Sequence, residues 1–221
     1  MKRFWIYIWL AAAVFTACQD DSFYYSGEDK ICFRQEELYF SFGEEPFSVQ
    51  DTLLSVPVEI IGYPQDRERQ YRIAVDKEHT TALEQQHYEM PSTAYTLLPG
   101  RSYDSIYIHV KRLNLQDDSV YHVTVKLLDS EDFRVDVIES VTVRFTNRLD
   151  CPDWWNILST WLGEYDKRKY QKFIELYGKA VTKEEVIDNK YAFLRIFKEV
   201  KAYFEANPQY GVTFPDVDWI V

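Results

Sequence analysis

Four histidines, three cysteines and 36 acidic residues are the groups through which this chain could hold a metal or carry out acid–base chemistry. Their spacing matches none of the common sites. His79, His87, His109 and His122 form no HExxH pair, and Cys18, Cys32 and Cys151 form no Cys-x-x-Cys, so zinc lacks its ligand pattern. His109 and His122 are expected on the polar faces of two strands, as neighbours across one sheet, and are read as solvated imidazoles. Glycoside hydrolysis needs two carboxyl groups held ~5–9 Å apart across a cleft. A chain this acidic offers many such pairs by chance, and spacing singles out none. No Gly-x-Ser-x-Gly turn or glycine-rich phosphate loop occurs among its seven glycines. The chain is therefore read as a non-enzyme, with a hydrolase as the catalytic alternative. Trp154, Trp155 and Trp161 could stack on a sugar. However, Trp154 and Trp161 share one helix face at i and i+7 and are expected to pack onto the sheets. Trp155 points elsewhere and is the expected exposed aromatic, free to meet a partner or ligand.

Cys18 stands apart because its neighbours prescribe a reaction. Met1 to Ala17 holds Lys2 and Arg3, an apolar run from Phe4 to Phe15, and the small residues Thr16 and Ala17, the three-part layout of a secretory signal. At about 12 residues the run is well short of the ~20 needed to span a bilayer. Val14-Phe15-Thr16-Ala17-Cys18 resembles the lipobox cut by lipoprotein signal peptidase, with Phe15 where Leu is usual. Cleavage there, with diacylglycerol and a further acyl chain on Cys18, would anchor the mature chain, since each buried CH₂ contributes ~0.8 kcal/mol. Gln19-Asp20-Asp21-Ser22 resembles the acidic tether that directs Bacteroidetes lipoproteins to the cell surface. The expected location is thus the outer membrane, lipid-anchored and facing outward. Loss of Lys2 and Arg3 moves the formal net charge from −11 to −13. So acidic a chain is unsuited to nucleic acid, whose binders need basic patches. Cys32 and Cys151 are expected as buried free thiols, with a disulfide between them as the alternative.

Behind these groups stand two kinds of element. From Lys30 to Thr146 the apolar residues alternate with polar ones: Leu54, Val56, Val58, Ile60; Tyr71, Ile73, Val75; Ile106, Ile108, Val110; Val123, Val125, Leu127; Val141, Val143, Phe145. Period two with turns at Gly62-Tyr63-Pro64, Pro99-Gly100 and Asp117-Asp118-Ser119 predicts an antiparallel β-sandwich. Pro57 within a strand predicts an edge or a bulge, because it cannot donate to the ladder. Beyond Phe145 the period becomes helical and predicts about three helices. One follows Pro152-Asp153 and stops at Gly163; one carries Tyr170, Phe173, Ile174 and Tyr177 to Gly178; one starts at Thr182 with Glu185 in a capping box and runs to Asn207-Pro208. Val212 to Val221 is expected as a short strand. The division expected is a signal peptide at 1–17, a tether at 18–29, a β-sandwich at 30–149, and a helical unit at 150–221 packed on it.

His87-Tyr88-Glu89, Tyr95 to Gly100 and Ile106 to Val110 resemble the Calx-beta sandwich pattern, a strand, a proline-glycine turn and a second alternating strand. With the lipobox, Tyr25-Ser26-Gly27, Trp154-Trp155 and Gly163-Glu164-Tyr165-Asp166-x-x-Lys169-Tyr170, the mature chain resembles a Bacteroidetes surface lipoprotein family of unknown function. Members are often encoded beside SusC/SusD-like importers. The resemblance implies a Calx-beta or immunoglobulin-like fold, and His87 as a packed loop residue with a structural hydrogen bond. It also implies a role as a non-catalytic accessory subunit of a TonB-dependent importer of glycan or peptide, with protein partners at the membrane. A free-standing surface glycan- or peptide-binding module is the alternative. No cofactor beyond the lipid is expected. Some Calx-beta domains bind calcium through loop carboxylates, and Asp117-Asp118 and Asp129-Ser130-Glu131-Asp132 are the loops to compare, but neither has an EF-hand pattern.

Overall fold

Residues 27–90 and 92–219 are described by a computed structural model. The expected leader, Cys18 and the acidic part of the tether lie outside the described residues. Among those described, no helix is long and apolar enough to cross a membrane.

Ten strands form among the described residues, five of them from the five alternating segments: β1 (Lys30–Phe33), β2 (Glu37–Ser41), β3 (Asp51–Ile61), β4 (Arg69–Val75), β5 (Tyr88–Glu89), β6 (Ala94–Leu97), β7 (Tyr103–Lys111), β8 (Val120–Leu128), β9 (Arg134–Val135) and β10 (Ser140–Thr146). They form two five-stranded sheets, ordered β5-β7-β3-β1-β9 and β2-β10-β8-β4-β6. Pairing is antiparallel except at β1–β9 and β2–β10. The apolar sides of both sheets meet in one core: Val56, Val58, Ile106, Ile108 and Val110 from the first, and Val123, Val125, Val141, Val143 and Phe145 from the second. Chain entry is also fixed here. Asp29 accepts Arg69 Nη1 at 2.9 Å, and Arg69 is only 1% exposed.

Two strand expectations need correction. Pro57 lies in β3, an interior strand, opposite Ser105 of β7. Its backbone faces the β1 side, where its carbonyl accepts Arg34 N at 3.3 Å just beyond the last paired residue, Phe33. The missing N–H therefore falls where that ladder ends. His109 and His122 are not neighbours across one sheet, because β7 and β8 belong to different sheets.

Four α-helices follow: α1 (Trp155–Leu162), α2 (Lys167–Tyr177), α3 (Lys183–Asp188) and α4 (Lys190–Ala206). The third expected helix is two, broken at Asn189 (φ −123°, ψ 28°), whose side-chain amide also donates to Glu185 O at 3.2 Å. The capping box forms as expected. Thr182 Oγ1 accepts Glu185 N at 3.3 Å and Glu185 Oε2 accepts Thr182 N at 2.8 Å. Gly178 closes α2 in the left-handed region at φ 99°, which a side chain would strain. Val212 to Trp219 is not a strand. It runs irregularly over the helices, with Val212, Phe214 and Trp219 against their core.

The helices have their own core, built around Trp154, Trp155, Leu158, Tyr170, Phe173 and Phe197. They sit at the end of the sheets where β2, β7 and β10 finish. Tyr165 donates to Leu149 O (3.1 Å), Ala180 N to Glu44 O (3.1 Å), and Lys167 pairs with Asp117 (3.3 Å). Gly43 is required at this junction, because a Cβ there would lie 2.2 Å from Arg148 O.

Candidate functional site

The polar face of α2 points into a cleft between helices and sheets. Tyr170, Phe173 and Ile174 turn into the helical core, which leaves Arg168, Gln171, Lys172 and Glu175 on the opposite side at i, i+3, i+4 and i+7. Facing them across the cleft are Glu45 and Phe47, from the loop after β2, and Arg112, which follows β7. Tyr203 and Phe204 of α4 and Tyr210 from the turn beyond it complete the wall. The volume is about 280 Å³, at the small end of ligand pockets.

Each cation in the cleft has a protein partner. Arg112 is 5% exposed, donating from Nε to Asn147 Oδ1 (2.8 Å) and from Nη1 to Pro46 O (3.0 Å), with its guanidinium 4.7 Å from the Phe47 ring centre. Burial pulls its pKa down, while Asp117 and Glu45 push it back up. Arg168 grips Asp166 with Nε (3.0 Å) and Nη2 (2.6 Å), and donates from Nη1 to Tyr210 O (2.5 Å). These contacts hold the Asp166 carboxyl below its usual range, and that same carboxylate caps α2 through Arg168 N. Lys172 reaches Glu175 (3.2 Å) and lies 4.0 Å from the Tyr203 ring centre. Tyr203 and Tyr210 stack at 6.2 Å, and the hydrogen bond that the Tyr203 hydroxyl donates to Tyr210 raises the Tyr203 pKa. The result is a charge-balanced cleft with aromatic faces, since Phe47 is 70% and Tyr210 46% exposed.

The expected contact residue is not part of it. Trp155 is 3% exposed, its ring edge-on to Tyr165 at 5.0 Å and its Nε1 donating to Gly163 O at 3.0 Å. It is a core residue, because α1 is short and both faces near its start meet other helices. Trp154 is buried too, packing against Tyr170 and Phe197 and donating to Val181 O at 2.8 Å, within the helical core and not on the sheets. Trp161 is half-exposed and ties down the C-terminal segment through Asp218 O (3.2 Å).

His87 is buried and its Nδ1 accepts Leu83 N at 3.1 Å, the structural bond expected of it. His109 lies beside Asp51 (3.1 Å), and His122 bonds Thr81 (3.2 Å). Cys32 and Cys151 are both free thiols. Cys32 is half-buried and Cys151 is exposed, where a second buried thiol was expected. The candidate calcium loops spend their carboxylates on the chain itself. Asp117 accepts Asn147 Nδ2 (2.6 Å), Asp129 accepts Val135 N (2.9 Å) and Asp132 accepts Gln70 N (2.6 Å). Among the described residues, no group of three or more His, Cys, Asp or Glu is placed to hold a metal.

A two-sheet β unit followed by a helical cap, with an aromatic cleft at their junction, is the class of protein these features define. The chain belongs to a family described as a domain of unknown function, DUF4843, which it matches over residues 15–179. Arg112 and the α2 side of the cleft lie inside that match, and Tyr203, Phe204 and Tyr210 beyond it. No curated protein matches the chain. Among solved structures it is similar to a "putative carbohydrate binding protein" from Bacteroides ovatus, at 14% identity and TM-score 0.43, covering 56% of this chain and 38% of that one. A Bacteroides ovatus protein of unknown function gives 13% and 0.41, covering 52% and 43%. CBD12 from CALX1.2 gives 14% and 0.42, covering 53% and 43%. The chain thus spans about two fifths of the length of these structures.

Proposed function

We propose that this chain is a non-catalytic outer-membrane lipoprotein, anchored through Cys18, that binds a neutral oligosaccharide segment in the cleft and serves a SusC/SusD-like importer. The observation that carries the ligand class is the cleft wall itself. Sugar rings present apolar faces edged by hydroxyls, and here Phe47 and Tyr210 offer exposed rings beside the hydrogen-bonding groups of Gln171, Glu175 and Glu45. Because Arg112, Arg168 and Lys172 are already partnered within the chain, an anionic ligand gains little from them. A Calx-beta-type sandwich would serve as the rigid support. The importer role is motivated by the lipobox, the acidic residues after it and the family resemblance.

Titration calorimetry with a panel of neutral oligosaccharides tests the ligand. Micromolar to millimolar binding that Tyr210→Ala weakens is expected, and flat titrations across the panel would remove the reading. Product analysis of the same mixtures checks catalysis, since release of shorter sugars would make the protein a hydrolase. Affinity purification from solubilised outer membranes tests the importer, and recovery of this chain alone counts against it.

A further inference from the structure

The chain enters the β unit at the end opposite the cleft. Asp29 accepts Gln65 Nε2 (2.5 Å) as well as Arg69 Nη1, and Arg134 N donates to Asp29 O (2.9 Å). Arg69 Nη2 donates to Arg101 O (3.1 Å), and Gly100 N to Gln65 O (2.9 Å). These bonds join the entry point, the loop at 62–67, the turn at 98–101 and the loop at 129–134 into one rim. β3 runs from Asp51, near the cleft, to Ile61 at this rim. Eleven residues at ~3.4 Å each place the two ends roughly 35 Å apart.

The rim exposes amphipathic side chains. Tyr63 and Leu98 are each 55% exposed and Tyr103 is 59% exposed. Leu98, Arg101 and Tyr103 line one depression, and the Arg101 guanidinium lies 5.5 Å from the Tyr103 ring centre. Arg67 and Arg134 stand beside Glu131 and Asp132, so the rim is mixed in sign. Tyrosine suits the boundary between headgroups and acyl chains, where one end of the ring is wet and the other is not.

We propose that this rim rests on the bilayer, with Tyr63, Leu98 and Tyr103 among the lipid headgroups, so that the cleft faces away from the membrane. The inference rests on the lipid anchor at Cys18. Cys18 precedes Asp29 by a stretch whose contour is at most about 40 Å. Such a stretch could bring the cleft end to the membrane only by being drawn out fully alongside the β unit. A bilayer is therefore the surface this rim meets first, and a contact through tyrosine and leucine suits a chain whose acidic balance disfavours a polybasic one.

The test uses the mature lipidated protein in vesicles of phosphatidylethanolamine and phosphatidylglycerol. In a Cys32→Ser, Cys151→Ser background, a fluorophore is placed through Tyr63→Cys, Leu98→Cys or Phe47→Cys and quenched by lipids spin-labelled near the headgroup. Severalfold stronger quenching at 63 and 98 than at 47 is expected. Equal quenching, or stronger quenching at 47, overturns the proposal. Flotation separates the two claims. A chain that fails to float with vesicles refutes the anchor and the orientation together, whereas one that floats with 63 and 98 unquenched refutes only the orientation. Hydrogen exchange on the unsubstituted protein is the second readout. Protection on vesicles is expected at 62–67 and 98–101, and protection confined to the cleft side overturns the proposal.

Discussion

The guanidinium of Arg112 stacks 4.7 Å from the ring centre of Phe47 while donating to Pro46 O, the carbonyl just before that ring. One buried cation thus fixes both the loop backbone and the aromatic that this loop presents to the cleft. Arg112→Leu leaves Pro46 O and the Asn147 side chain without their donor. A loss of about 2–3 kcal/mol in urea unfolding is expected, as for buried groups bonded to a charge. Arg112→Lys is expected to recover little, because a point charge cannot make the planar, divided contacts of the fork.

Phe47 and Tyr210 approach the cleft from opposite sides and belong to different units. Phe47→Ala removes a largely exposed ring together with its contact to Arg112, so stability should fall by only about 0.5–1 kcal/mol. Its affinity for the bound oligosaccharide should fall about tenfold, equivalent to roughly 1.4 kcal/mol. Calorimetry on the two single variants and the double variant reads this. Unchanged affinity in both single variants would place the ligand elsewhere.

Trp155→Ala should behave in the opposite way. The ring is 3% exposed, it contacts Tyr165 and Phe197, and its indole N–H is satisfied inside the fold. Truncation of such a residue costs about 3–5 kcal/mol. Whatever fraction stays folded should bind ligand as the parent does. A stable Trp155→Ala protein with impaired binding would restore Trp155 to the surface role that its helical position suggested.

His87 is buried, and burial lowers its pKa in the folded chain. Its unfolded value is about 6.5. As pH falls through that value the unfolded chain takes up the proton first, so stability is full above it and declines below it. His122 is shifted the same way, by burial first and then by Arg144 and His79. His87→Asn keeps an acceptor near Leu83 N and removes one titrating ring. Urea midpoints at pH 7.5 and 5.5 should differ less in that variant than in the parent.

Strand residues were legible because alternation reports burial directly. Val56, Val58, Ile60, Ile106, Ile108 and Val110 are all inside, as their spacing requires. Sheet membership was not legible, since His109 and His122 sit on strands close in sequence, and nothing local says that the chain crosses between layers there. Pro57 misled for a related reason, because what spares it is the length of its neighbour β1 rather than its own strand. The capping box at Thr182 and Glu185 was local and could be read, whereas the break at Asn189 depends on a side-chain bond within a continuous apolar pattern. The cleft was hidden most thoroughly. Arg168, Gln171, Lys172 and Glu175 form an ordinary polar helix face, and only docking of that face against Phe47 and Arg112 makes it a wall.

The ion pair of Asp29 and Arg69 offers the sharpest test of how the chain is fastened where it enters the β unit. Arg69 is almost fully enclosed, lying 4.9 Å from the Phe133 ring centre, and Asp29 is its only carboxylate partner within 4 Å among the described residues. Asp29→Asn leaves a buried cation without its counterion and should destabilise the protein by about 3–5 kcal/mol. Most of that loss comes from the stranded charge rather than from the missing attraction. The double variant Asp29→Asn, Arg69→Met should therefore be more stable than Asp29→Asn alone, since the apolar stem still packs on Phe133. Urea unfolding of the parent, both single variants and the double variant closes the cycle. If the double variant loses the full sum of the two single losses, the residues act independently and the entry point is not held by their pairing.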